Sequence, residues 1–505
     1  MSPCQRKSSP KKRVATRRYL DFQKLCTHEP LAEATNDSAN LTYQTDDFSK
    51  AISAVTKMLV DFIDRSRLSD GPVVNLKAVS EVARSLRLEK FVELAGGKGD
   101  PEILSEFIET YLPTLIRLND PRFIGHQVSR PHFASALADL VNGMTNNGMA
   151  VYEMGPGPVA IERFVVSWLL GFVNWPDGGD GFLTHGGSLA NLTAMLAARG
   201  TFHPESWRDG IDHRHVFLVP ETSHYCLQRA ICILGYGERN IRYLPTNDFG
   251  QIEVDQIELV FQEAIDEGKT PVAICANACS TPTGLYDDLK SIGEFAKLKA
   301  LWFHVDAAHG GSALVSQTHR ELLSGIQFAD SVVWDQHKLL QTSALCTAVL
   351  FRNPESLNKI FQQHASYLNT SNDDDFPNLF HQTIECTKVP IGLKFYLCLL
   401  AVGKQGLADF VDALFCRTRE IYQLIGARDG FLCCYKPQSN ILCFQYRPDE
   451  FDPFAIRDQI IREGEFYFTR TELKGQKYFR FTVTSPETSN EIISKLLDRI
   501  EAAAG

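Results

Sequence analysis

The chain has 505 residues, of which 44% are hydrophobic and 22% charged, and its formal net charge is −10. Such a length exceeds one average domain and predicts two or three lobes around a large shared core. The acidic balance excludes nucleic acid as the main partner, because phosphate backbones are held by clustered Lys and Arg.

The thirteen cysteines are odd in number, form no CxxC pair, and sit mostly in apolar segments, as at Cys226, Cys232, Cys275, Cys279 and Cys346. Without a visible secretory signal, that pattern predicts free thiols in a reducing compartment, with no disulfide and no metal site. No apolar run approaches the roughly 18 residues that cross a bilayer. The expectation is a soluble, cytoplasmic protein with no membrane partner.

Residues 1–46 read as a disordered tail. Its first part, MSPCQRKSSPKKRVATRR, is basic, Ser-rich and free of acids, a composition shared with organellar transit peptides, but it lacks an apolar face. Residues 47–120 carry apolar positions at helical spacing, including Phe48, Ile52, Val55, Met58, Leu59 and Phe62, and then Ile103, Phe107, Tyr111 and Leu115. This predicts amphipathic helices of a kind that serves subunit association. Asp120-Pro121 marks the start of a larger region, 121–388. There His126 and Gln127 follow a glycine, where a side chain can face a cleft, although a hydrogen-bonded structural histidine is the favoured reading of His126 over a catalytic one.

The stretch GFLTHGGSLANLTAMLAARG places Gly186, Gly187 and Ser188 where a helix begins. Unpaired N–H groups and the positive dipole end suit a phosphate monoester there, and a plain N-cap is the alternative. The strand HVFLVP leads to His224, at the carboxyl end where open α/β sheets place ligands, and its flat ring can stack on a pyridine. Strands at Ile241–Pro245 and Val272–Ala278, a turn carrying Ser280, and a helix from Asp287 to Leu298 continue the alternation. Repeated strand–helix units imply a mainly parallel sheet covered on both faces, with Ser188, His224, Ser280 and Asp306 at one edge.

Leu301 to Ala308, LWFHVDAA, reads as a strand ending on Asp306, whose carboxylate is costly among apolar neighbours unless a cation meets it. A protonated pyridine nitrogen is such a cation. The next buried strand, Ser331 to Trp334, leads to His337 and Lys338. Lost hydration there is expected to lower the pKa of Lys338 and leave a neutral amine able to attack a carbonyl. Together these residues predict pyridoxal 5′-phosphate, with Lys338 holding the aldehyde carbon as a Schiff base and Asp306 keeping the ring nitrogen protonated. Beyond the strand Thr347–Arg352 lies a polar, acidic stretch expected to be an active-site loop or disorder. The last region, 389–505, opens on a long apolar helix and reads as a small α/β domain. Its strand YFRFTV carries Arg480, which calls for an anion: a substrate carboxylate or an Asp or Glu.

The motifs HVDAAHGG, DQHK, GGSLANL and YFRFTV, with the Ser-His pair before a helix, resemble the group II pyridoxal-phosphate-dependent amino-acid decarboxylases, in the branch acting on glutamate, cysteine sulfinate and aspartate. The resemblance covers Pro121 to Ala503. It implies the type I PLP-dependent transferase fold, α/β with a seven-stranded-type sheet, and a homodimer. It implies Lys338 as the Schiff-base lysine, Asp306 at the pyridinium, and His224 and Ala308 on the two ring faces. Gly187, Ser188, His337 and Asp335 would hold the phosphate, although relatives more often have Asn at position 335. Arg480 would take the substrate α-carboxylate, with His126, Gln127 and Lys388 as a pocket for an acidic side chain. The chain departs from the family twice. Cys279 replaces a small glycine, and Pro377 beside Phe376 stands where a loop tyrosine protonates Cα, so that either Tyr367 or His381 stands in or protonation is imperfect and some turnovers end in transamination or oxidation.

Overall fold

The computed structural model describes residues 45–95, 100–361, 377–447 and 449–505. The basic tail, Tyr367 and Phe376 lie outside the described residues. The described residues divide into two compact units, one within 45–65 and 75–116 and the other within 66–74 and 117–505. The described part of the first unit is built on helices. Its Pro101–Tyr111 helix starts where the Asp100 carboxylate accepts the Glu102 N–H and Pro101 fills a position that has no use for an N–H. Phe107 meets Phe91 edge-on at 5.4 Å.

The second unit contains two sheets. Its strands are β1 (Phe123–Ile124), β2 (Asp180–Thr184), β3 (His215–Pro220), β4 (Ile241–Leu244), β5 (Thr270–Asn277), β6 (Trp302–Asp306), β7 (Ser331–Asp335), β8 (Thr347–Phe351), β9 (Phe431–Cys433), β10 (Ile441–Tyr446), β11 (Tyr467–Leu473) and β12 (Gln476–Thr482). The large sheet has seven strands in the order β2-β8-β7-β6-β5-β3-β4. From β4 through β7 the neighbours are parallel, while β8 runs antiparallel to both β7 and β2. The mainly parallel sheet expected from the alternation is present. Its strands are mostly apolar because helices cover both faces, and Phe182, Phe217, Val219, Cys275, Val333, Val349 and Phe351 join one buried cluster. Each such large side chain contributes about 1.5–3 kcal/mol on burial.

The small sheet has the order β1-β11-β12-β10-β9. Here the structure corrects the expected boundaries. Phe123 and Ile124, assigned to the large domain, pair in parallel with Tyr467 and Phe468 of the small sheet. The long helix expected from Val389 is Gly392–Gly426, broken at Gly403, where φ is 69°. It packs on the helices Phe133–Thr145 and Pro156–Val173 of the large domain. Chain order and spatial domain therefore part company at both ends.

A second correction concerns apolar length. Pro156–Val173 is an 18-residue helix long and apolar enough to cross a membrane by composition alone, contrary to the expectation of no such run. Val165, Val166, Leu169 and Val173 are buried in the protein, and so is Glu162. Glu162 forms a short ion pair with Lys388, itself 1% exposed, and also accepts the Leu183 N–H at 3.1 Å. The Lys388 ammonium is thus committed to the core. Replacing Lys388 with Met strands a buried carboxylate, and we expect a loss of about 3–5 kcal/mol. In urea unfolding followed by tryptophan fluorescence, Glu162→Gln added to Lys388→Met should recover most of that loss.

Candidate active site

The carboxyl ends of β2, β3, β5, β6 and β7 converge on a pocket of about 270 Å³, small beside those that take drug-sized ligands. Its lining includes His185, Gly187, Ser188, Asn191, His224, Thr281, Asp306, Ala308, Asp335, His337 and Lys338. A larger cavity, of about 820 Å³, opens near Trp302, Asp330 and Arg352 at the other end of the sheet. Its Asp330 and Arg352 already pair with each other, and it contains none of the groups picked out by sequence.

Lys338 sits on the short helix Gln336–Leu339 directly after β7. Its Nζ lies 2.9 Å from Asp335 Oδ2. Burial pulls the lysine pKa down, but the charges of Asp335 and Asp306 and the hydrogen bond to Asp335 outweigh it. The ammonium is therefore held above its ordinary range, the reverse of the expected neutral amine. The strand end does desolvate Lys338 as expected, and the two facing carboxylates reverse the outcome.

Asp306 ends β6, opposite Asn277 of β5 and Val333 of β7. Burial pushes its pKa up, against the pull of Lys338, His224 and the Ala308 N–H. The side chain is oriented by a relay that no sequence motif flagged. Trp302 Nε1 donates to Ser331 Oγ at 2.8 Å, and Ser331 Oγ meets His304 Nδ1 at 2.8 Å. His304 Nε2 lies 2.7 Å from Asn191 Oδ1. The Asn191 amide nitrogen donates to the Gly187 carbonyl at 2.9 Å and to Asp306 Oδ2 at 3.3 Å. Because that nitrogen must donate, the Asn191 oxygen accepts from His304 Nε2–H, and His304 Nδ1 accepts from Ser331. Burial keeps His304 neutral by lowering its pKa to about 3. Strand alternation gave a signal, since Trp302, His304 and Asp306 share one face of β6. Asn191, four residues after Gly187, is one helical turn along the phosphate motif.

Gly187 opens the helix Gly187–Phe202, and Gly186 before it has φ of 100°. A Cβ at Gly187 would lie 3.3 Å from both Asp335 oxygens and 3.7 Å from Ala308 Cβ, so a side chain there would intrude on the pocket wall. His224 caps the helix Tyr225–Ile233 by accepting the Cys226 N–H at Nδ1, 3.3 Å away. Burial lowers its pKa. His337 Nδ1 lies 2.9 Å from the Cys346 carbonyl, which leaves Nε2 toward Asp335 at 3.8 Å.

Arg480 is buried and donates to the carbonyls of Thr281 and Pro282 and to the hydroxyls of Thr469 and Thr482. No described carboxylate pairs with it. That removes the salt-bridge alternative among the described residues and leaves a guanidinium beside Thr281, which does line the pocket.

Other expected residues stand elsewhere. Ser280 is fully buried, with no hydrogen-bond partner for its hydroxyl, and the pocket is lined by Cys279 and Thr281 on either side of it. His126 Nε2 bonds to the Tyr467 hydroxyl at 2.9 Å. Neither His126 nor Gln127 lines the pocket, because the chain there has already turned into the small sheet. Lys388 is taken by Glu162, and His381 closes a 3-10 turn, Leu379–His381, away from the pocket lining. Among the described residues no cluster of His, Cys, Asp and Glu is arranged to hold a metal.

The groups present fit pyridoxal phosphate. A desolvated carboxylate awaits a ring cation, a lysine amine lies across the pocket, and a glycine-opened helix end faces an anion site.

Comparison with known proteins agrees. A family model described as the pyridoxal-dependent decarboxylase conserved domain matches residues 97–447. The acidic amino acid decarboxylase GADL1 of Homo sapiens is 30% identical over 81% of this chain and 82% of its own length. The cysteine sulfinic acid decarboxylase of Mus musculus is 32% identical over 71% and 73%. A crystal structure of mouse CSAD superposes with a TM-score of 0.84 at 26% identity, covering 92% of this chain and 99% of that one. A rice TDC crystal structure with PLP and tryptamine, 20% identical, shares the fold with a TM-score of 0.82. With the family model spanning most of the chain and the pocket supplying its chemistry, the chain belongs to the pyridoxal-dependent decarboxylases.

Proposed function

We propose that this chain removes the α-carboxylate of a small acidic L-amino acid, of the glutamate, aspartate or cysteine sulfinate class, as CO2, leaving the amine. The observation that carries the reading is the facing of Lys338 by two buried carboxylates beside a guanidinium that has no carboxylate partner among the described residues. Pyridoxal phosphate, when bound, supplies an electron sink for the pair released from the Cα–carboxylate bond. Lys338 would attach it, and Asp306 would hold a proton on its ring nitrogen. His224 and Ala308 would flank the ring. Gly187, Ser188 and His337 would hold the phosphate, with Asp335 close by.

Arg480 would bind the α-carboxylate through its remaining N–H capacity. The acidic side chain is supported by the named activities of the relatives, since His126, Gln127 and Lys388 do not line the pocket.

We further propose a cytoplasmic homodimer with no nucleic-acid or membrane partner. On the helix Phe133–Thr145, Phe133, Leu137, Leu140, Val141 and Met144 recur at helical spacing along one face, and all are exposed, Phe133 to 70%. A second copy would cover such a stripe. Every described cysteine is free, as suits a reducing compartment.

The deciding experiment is a panel of amino acids incubated with the purified protein and pyridoxal phosphate, with CO2 and amine both measured. Equal amounts of the two from one acidic amino acid are expected. CO2 without amine would replace this reading with aldehyde formation, and absence of CO2 from every substrate would end it. Lys338→Ala should abolish the visible absorbance of the attached cofactor. Asp306→Asn, loaded with cofactor, should lose about 100-fold or more in kcat, the scale of one electrostatic contact in a dry site.

A further inference from the structure

Asp335 puts an anion where the cofactor's own anion belongs. Its side chain is almost wholly buried, and both oxygens approach within 3.3 Å of where a Gly187 Cβ would be, at the first residue of the helix read above as the phosphate seat. The carboxylate accepts the Thr347 hydroxyl at 2.5 Å and pairs with Lys338 at 2.9 Å.

The charged groups around it are few. Lys338 and His337 approach from the helix after β7, Asp306 and His224 act from across the pocket, and the buried His309, Cys226 and Cys346, which burial keeps uncharged, also feel its charge. Lys338 neutralises Asp335 while its nitrogen is an ammonium committed to that pair. Condensation with an aldehyde turns that ammonium into an imine, releasing water and, in the neutral imine, one proton to solvent, and Asp335 is then left facing the phosphate with His337 as its nearest other base.

Resting on that placement of the phosphate, we propose that Asp335 acts as a repulsive element in the anion site. It loosens this chain's hold on the phosphorylated cofactor and makes that hold weaken as pH rises. Two anionic groups in contact inside a protein repel far more strongly than in water, and the pair is relieved when the carboxyl and phosphate share a proton taken from solvent. That proton is lost as pH rises, so binding is tighter at pH 6 than at pH 8. The Thr347 hydroxyl can donate to an amide oxygen as well as to a carboxylate, so Asp335→Asn removes the charge and keeps the local bond.

The test compares pyridoxal phosphate with pyridoxal, which has the same aldehyde and ring but no phosphate. Dissociation constants are measured on the full chain stripped of cofactor. We expect Asp335→Asn to bind pyridoxal phosphate about tenfold or more tightly than the parent at pH 8, with a smaller gain at pH 6 and no gain for pyridoxal at either pH. No gain for pyridoxal phosphate, or an equal gain for both ligands, would overturn the proposal. Ser188→Ala tells the two levels apart. If it weakens pyridoxal phosphate alone while Asp335→Asn changes nothing, only the role of Asp335 falls. If it weakens neither ligand, the placement of the phosphate and the proposal fall together.

Discussion

Two carboxylates withdrawn from water at the ends of adjacent parallel strands, and one partly exposed ammonium that faces them, set the terms for the rest of this site. Asp306 closes β6, Asp335 closes β7, and Lys338 faces both from the turn of helix that follows. Removing a charge from water costs several kcal/mol, and here one cation serves two anions. A bound cofactor ring that carries a proton would meet the deficit from outside the protein. At the small-sheet side the imbalance reverses, because Arg480 has carbonyls and hydroxyls around it but no described carboxylate. A ligand with a cationic ring and a substrate with a carboxylate complete both ends.

The scaffold around these charges is built to hold them still. Four polar side chains in series, from Trp302 through Ser331 and His304 to Asn191, deliver one amide N–H to Asp306. Each link fixes the donor or acceptor role of the next, and buried His304 stays neutral so that the series does not invert. Backbone closeness matters equally. A Cβ at Gly310 would fall 2.6 Å from the Cys279 nitrogen and 2.7 Å from the Ala278 carbonyl, so glycine there lets the segment after Asp306 press against the end of β5. The pocket is narrow because these strand ends cannot spread.

Charge placement also separates the residues that act on a ligand from those that only resemble them in sequence. Lys388 looks like a basic side chain available to a substrate, yet it neutralises Glu162 inside the helix layer. His126 looks as if it faces a cleft, yet it bonds to Tyr467. An acidic substrate is thus supported by kinship with decarboxylases of acidic amino acids, while the pocket itself supports the α-carboxylate end.

Strand–helix alternation, the apolar runs of β5 to β8, and the motifs carrying Gly187, His224, Asp306 and Lys338 were legible from the amino acids alone, because burial on both faces of a parallel sheet writes itself as continuous apolar segments and because strand ends face ligands. The chain therefore determined by itself its sheet, its cofactor class and the strand-end lysine that lines its pocket. Tertiary structure decided what local pattern cannot encode: that β1 belongs to the far sheet, that Asn191 and His304 orient Asp306, that Thr281 lines the pocket where Ser280 does not, and that Lys338 is held protonated. Each of these depends on which residues distant in sequence come within a few ångströms, where direct hydrogen bonds and weakly screened charges outweigh the preference of any one residue.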